Sequence, residues 1–306
     1  MLGVLQGFAT IGIVIGTGAW LAHRGIVDLS AQQLLARLAF TVGLPALLIT
    51  MLADADASAM ASRSTVVTAS AIAVVALAYA VPARLIWRRR LGHVVMGAQD
   101  ASYVNSANLG IPIAAFVLGD PALVAPVLLI QVLVMQPIAL MLLDHDAATG
   151  PARPGRILLD ALTNPITLGT AIGVALSLTG TQLPVFLDAP ARLLGGLAIP
   201  AMLIAYGISL RLGPGLAGGE QRSELIYTSA LKLLAQPAVA WAAGLALGLT
   251  GPDLFAVVVI AALPTAQNIF IFALQYDRAV SLTRDTILVT TIGSVPVIVL
   301  AAALLG

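Results

Sequence analysis

Ten consecutive residues, Tyr103-Val104-Asn105-Ser106-Ala107-Asn108-Leu109-Gly110-Ile111-Pro112, set two amides, a hydroxyl, a glycine and a proline inside otherwise apolar sequence. Pro112 has no N–H, and its ring clashes with the carbonyl four residues earlier, so a helix here should open beside Asn108. The freed backbone groups could coordinate an ion or a carboxylate, or the Asn side chains could simply bond a neighbouring helix. A second stretch of the same kind, Ala262-Leu263-Pro264-Thr265-Ala266-Gln267-Asn268, carries its proline 152 positions after Pro112. A broken helix can aim a half-helix N-terminus, with its partial positive charge, at an anion. Asn105, Asn108, Pro112, Pro264, Gln267 and Asn268 are therefore the candidate substrate-binding positions. Pro45, Pro200, Pro137 and Pro296 stand alone and read as hinges or kinks.

Two charges fall in the same apolar context. Lys232 is the sole lysine of the chain. A cation there either faces a cavity and balances an anionic substrate, or snorkels to the headgroups from a helix end. Asp100, eight residues ahead of Asn108, is a candidate proton-binding carboxylate or a solvated vestibule residue, and an Asp100–Lys232 pair is an open alternative.

The elements that must position these residues follow from composition. Of 306 residues 59% are hydrophobic and only 9% charged, and apolar segments of about 20 residues recur from end to end, the length that crosses a hydrocarbon core. Ten spans are expected, at 2–22, 31–53, 64–87, 93–119, 121–143, 157–179, 190–210, 224–249, 252–276 and 283–305. With no water in the hydrocarbon to satisfy an open strand edge, the fold class is an all-α membrane protein.

Arg37 and Pro45-Ala46-Leu47-Leu48-Ile49 recur as Arg192 and Pro200-Ala201-Met202-Leu203-Ile204, and Pro82-Ala83 as Pro237-Ala238, all at one displacement of 155 positions. Five spans per half make the second copy enter the bilayer inverted, the plan of many secondary transporters. The expected units are residues 1–143 as the first repeat, 144–156 as a cytoplasmic linker and 157–306 as the second repeat. Alternate loops on one side hold Arg24, Arg37, Arg84, Arg88, Arg89, Arg90, Arg153, Arg156, Arg211, Arg222, Arg278 and Arg284, whereas the other side holds only Arg63 and Arg192. The arginine-rich side is then cytoplasmic and both termini lie outside. The first span lacks a basic leader and reads as a retained helix.

The chain has no cysteine, which removes disulfides, thiolate metal sites and thiol nucleophiles. No basic patch suggests a nucleic-acid partner. An intramembrane hydrolase would need an acid pair, an HExxH helix or a Ser with a His, but His23, His93 and His145 all fall at span ends. No enzyme, cofactor or resident metal is expected. A channel tolerates polar breaks but has no need of inverted halves.

The stretches Asn105 to Pro112, Asn164-Pro165, Ile199 to Leu210, Leu263-Pro264 and Gln275-Tyr276-Asp277 resemble the auxin efflux carrier family of permeases in its short bacterial form. That family lies within the wider fold group of the bile acid sodium symporters. The resemblance covers essentially the whole chain. It implies a scaffold domain of spans 1, 2, 6 and 7, and a transport domain of spans 3 to 5 and 8 to 10. It also implies that the broken spans 4 and 9 cross, that access alternates by an elevator-like motion, and that a homodimer sits in a bacterial inner membrane. Lys232 could then stand where sodium sits in the symporters, and the short 144–156 segment departs from the long central loop of plant members. The expected function is a permease for small organic anions, such as carboxylates or auxin-like weak acids, driven by membrane potential or protons. Sodium-coupled symport is the alternative; it has less support because residues 254–276 carry no acidic side chain before Asp277.

Overall fold

The computed structural model describes residues 2–53, 62–148, 163–213 and 220–305. Among them the chain is entirely helical, with a single isolated β-bridge. In chain order the helices are α1 (Leu2–His23), α2 (Leu29–Ala53), α3 (Arg63–Leu85), α4 (Leu91–Ser102), α5 (106–118), α6 (Ala122–Ala147), α7 (Pro165–Thr179), α8 (Val185–Leu212), α9 (220–246), α10 (Gly251–Ala261), α11 (Asn268–Tyr276) and α12 (Val280–Leu305). Five of them, α2, α3, α6, α8 and α12, are long and apolar enough to cross a membrane alone. The segments α4 and α5, and again α10 and α11, are short pieces that follow one another across an unwound stretch. Of the expected linker, residues 144–147 continue α6 as helix, and 149–156 lie outside the described residues.

Local chemistry sets the helix starts. The Asp28 carboxylate accepts from the amides of Ser30 and Ala31 at 2.9 and 3.0 Å, so α2 begins two residues ahead of the expected 31. Ser62 caps α3 through the Thr65 amide, and Asn164 caps α7 with Pro165 at its first turn.

Four prolines share one local structure. Pi-helical turns at Ala39–Gly43, Ser106–Gly110, Gln131–Met135 and Leu231–Ala235 each end two residues before a proline, respectively Pro45, Pro112, Pro137 and Pro237. A proline ring needs the preceding turn widened, and one extra residue per turn widens it without ending the helix. Pro200 lies inside the uninterrupted α8 and imposes no such turn. The two hinge candidates, 155 positions apart in the sequence, therefore differ in local structure.

Helices α1, α2, α7 and α8 pack through small residues. A Cβ on Gly207 would sit 2.0 Å from the Ile15 carbonyl oxygen, and one on Gly18 would sit 2.4 Å from that of Ile204. A Cβ on Gly169 or Gly173 of α7 would likewise sit 2.7 or 2.8 Å from the carbonyl oxygen of Pro45 or Leu48 on α2. Lipid tails are as apolar as leucine, so close backbone approach, rather than exclusion of water, drives this association. The replacement Gly207→Val should force α1 from α8 and cost about 1–3 kcal/mol, read as a lowered melting temperature of the purified protein. Ala at Gly196, which has open space around it, should be tolerated.

Candidate functional site

Helix α4 ends at Ser102, Tyr103 is extended, and Asn105 (φ −75°, ψ 68°) turns the chain into the next helix at Ser106, whose amide donates to the Val104 carbonyl at 2.8 Å. Helix α10 ends at Ala261, and α11 starts at Asn268. The two unwound stretches lie antiparallel, bridged at Val104 and Thr265. The Asn105 amide donates to the Pro264 carbonyl at 2.8 Å, and the Ala266 amide donates to the Tyr103 carbonyl at 3.2 Å. Each break thus supplies partners for the other.

The first break does not lie where Pro112 alone would put it. The chain unwinds at residues 103–105, three to five positions before the expected opening beside Asn108, which is already within a π-helical turn. The π turn absorbs the missing N–H of Pro112, and the unwinding is held instead by the partner strand at Pro264 and Ala266.

Side chains complete the seam. Asn105 donates its Nδ2 to Gln267 Oε1 at 2.5 Å and accepts at Oδ1 from the Asn108 amide at 3.2 Å, capping α5. Asn268, at the start of α11, reaches the Tyr103 hydroxyl at 3.5 Å, and Gln136 donates to the same hydroxyl at 2.9 Å. A cavity of about 60 Å³ opens on this polar seam. Tyr103, Asn105, Asn108, Gln136 and Asn268 line it on one side, and Leu44, Leu48, Ile199 and Met202 of α2 and α8 line it on the other. Its size admits a few waters. Gln267 stands behind Asn105, fully buried, with its Nε2 lacking a protein partner.

Lys232 does not snorkel: it is completely buried, in the π turn of α9. Its Nζ donates to Gln236 Oε1 at 2.5 Å and to the Ala261 carbonyl at 3.1 Å, and Gln236 Nε2 donates to the Ser102 carbonyl at 2.8 Å. Lys232 therefore serves the C-terminal ends of α10 and, through Gln236, of α4, where the helix dipoles are negative. It does not line the cavity. Asp100 is also fully buried. Its Oδ2 accepts from Thr283 at 2.8 Å, its carbonyl accepts from Thr265 at 2.6 Å, and its Oδ1 has no hydrogen-bond partner. Among the described residues no ion pair joins Asp100 to Lys232, so that open alternative is not realised, and neither is a solvated Asp100.

Residues outside the sequence-stretch candidates do much of the positioning. Gln131 donates to the Val104 carbonyl at 2.8 Å and accepts from Ser106 at 2.6 Å; Thr290 accepts from the Thr265 amide at 3.1 Å. A signal for the glutamines existed in the Gln136-Pro137 and Gln236-Pro237 dipeptides, each closing a π turn within apolar sequence.

Long apolar helices around a hydrogen-bonded polar seam are those of a multi-pass helical membrane protein. The family model described as "Membrane transport protein" matches residues 4–151 and 154–301. The chain belongs to this family, that of the auxin efflux carriers. Auxin efflux carrier component 3a of Oryza sativa subsp. japonica is 27% identical over 149 residues, which are 47% of this chain and 24% of that protein. Probable auxin efflux carrier component 1b of the same plant is 27% identical over 150 residues, 47% of this chain and 27% of its own length. The matched part thus spans about a quarter of these curated relatives.

Removing the Asn105 side chain strips Gln267 of its amide partner and α5 of its cap. Asn105→Ala should cost about 1–3 kcal/mol, seen as a lower unfolding temperature, whereas Asn268→Ala, whose bond is long, should leave that temperature nearly unchanged.

Proposed function

We propose that the protein is a secondary transporter for small organic anions such as carboxylates or auxin-like weak acids, and that the anion binds where the two interrupted helices meet. The meeting of two unwound stretches beside a polar cavity carries this reading. In lipid such backbone is tolerated only where it is buried in protein or lines a cavity, and paired discontinuous helices mark transporter sites. On this reading Asn105, Asn108 and Asn268 touch the guest, with Pro264 and Gln267 shaping the wall behind them. Lys232 contributes at one remove, holding the helix ends that frame the site.

The arrangement we favour is ten membrane crossings in two inverted five-helix repeats, with the broken fourth and ninth crossing each other. The family model's two matched stretches of similar length, 4–151 and 154–301, support a repeat. The glycine-packed α1, α2, α7 and α8 would form a fixed scaffold, and the remaining helices an elevator-like moving body. The apolar α2–α8 wall opposite the polar seam supports a sliding contact there, with Pro45 and Pro200 as hinge candidates. Bacterial inner-membrane placement with both termini outside and a scaffold-mediated homodimer complete the proposal.

Asp100, with one unpartnered oxygen, is the candidate coupling group, protonated and deprotonated in each cycle. Sodium-driven symport is the second reading, and the same vacant oxygen is its supporting observation. In vesicles reconstituted with purified protein, Asn108→Ala and, separately, Gln267→Ala should abolish saturable uptake of a carboxylate found by thermal shift, while both variants still fold, Gln267→Ala with a lower melting temperature because it leaves the buried Asn105 Nδ2 without its partner. Full uptake in both variants removes the site assignment. Uptake that continues in sodium-free buffer and follows an imposed pH gradient supports protons; uptake that stops supports sodium.

A further inference from the structure

Glu224, in α9, is a buried carboxylate with 1% exposure that the seam does not use. Its Oε1 accepts from the Tyr79 hydroxyl at 2.6 Å and faces His93 Nε2 at 2.8 Å, so one oxygen joins the two groups. Arg89 holds the other oxygen at 2.8 Å. His93 and Arg89 keep 20% and 25% of their side chains accessible, whereas Tyr79 and Asp100 are fully buried. The cluster therefore runs from a partly open rim to the interior.

Helix α4 gives that run its direction. His93, Gly97 and Asp100 fall at i, i+4 and i+7, one stripe of the helix. Tyr79 lies across the middle of the stripe: a Cβ on Gly97 would come 2.1 Å from its hydroxyl oxygen. Glycine is what admits the phenol against the helix. From Gly97 to Asp100 is one turn, a rise of about 4.5 Å, and the Asp100 Oδ1 has no partner.

Resting on the reading of Asp100 as a coupling group, we infer that His93, Glu224 and Tyr79 form its proton-access path from the rim that carries Arg84 and Arg89. His93 takes a proton from water and passes it from Nε2 to Glu224 Oε1. Glu224 gives that proton to the Tyr79 oxygen as the phenol's own hydroxyl proton turns from Glu224 and passes through an intervening water to Asp100, whose Oδ1 has no protein group within hydrogen-bond distance; Glu224 is left ionised, Tyr79 neutral and Asp100 protonated. Arg89 favours the ionised Glu224 and so returns the relay to its starting state. The other charges nearby are engaged elsewhere. Arg284 pairs with Asp285 on α12, Arg278 with Asp146 beside Gly92, and Lys232 with Gln236 and the Ala261 carbonyl.

The path is tested by following hydrogen–deuterium exchange of the carboxyl infrared band in purified protein, with no transported substrate needed. Asp100→Asn should delete a carboxyl band present in wild type; an unchanged spectrum overturns the coupling reading itself, and with it the path. With the band assigned, Tyr79→Phe and His93→Gln should each slow its exchange about tenfold or more. Tyr227→Phe, which removes a nearby phenol bonded only to the Ala78 carbonyl, should leave the rate unchanged. Wild-type exchange in Tyr79→Phe overturns the path while leaving Asp100 in place. Equal slowing in Tyr227→Phe also overturns it, since loosened packing would then be the cause.

Discussion

Hydrocarbon offers no water to an exposed peptide group, and two helices of this protein are nevertheless open at their centres. The cost is met by mutual pairing: the amides of Asn105 and Ala266 donate to the carbonyls of Pro264 and Tyr103 across the seam. Several buried polar side chains serve that junction. Gln131 donates to the Val104 carbonyl, Thr290 accepts from the Thr265 amide, and Lys232 with Gln236 serves the carbonyl ends of the two incoming helices. Neither broken helix would be tolerable without the other.

The π turns show how the chain accommodates prolines without further breaks. Pro45, Pro112, Pro137 and Pro237 each follow a widened turn, and the polar residues of two of these turns, Gln131 and Lys232, point into the junction. Widening a turn shifts the register of every later side chain by one residue, so it rotates a glutamine or lysine inward while the helix as a whole stays apolar outside. Gln136 and Gln236 sit at the end of such turns and reach Tyr103 and Ser102.

Much of this was legible in the sequence. Apolar run lengths indicate an all-helical membrane protein, and the amide-rich stretches around Asn105 and Gln267 mark both breaks. The exact point of opening was not legible, because Pro112 acts on its own helix, whereas residues 103–105 are held open by a segment 160 positions away. Lys232 was ambiguous for a related reason: its partner, the Ala261 carbonyl, exists only where another helix ends. Long-range pairing of backbone leaves no mark in composition or periodicity. The Glu224 cluster was hidden likewise, because Tyr79, Arg89 and His93 lie close together in the chain while Glu224 comes from α9, 131 or more positions away.

Because the two hydrogen bonds that cross the seam, Asn105 N–H to Pro264 and Ala266 N–H to Tyr103, run between main-chain atoms, side chains that only face the cavity are loosely constrained by the need to hold it, unlike Asn105, Gln131 and Thr290, which bond into the seam. Substitutions at Asn108, Asn268 or the facing leucines can re-tailor the lining without dismantling the frame. Such an arrangement is suited to diversification: duplicated copies could acquire new cargoes by a few changes in side chains while inheriting an unaltered fold.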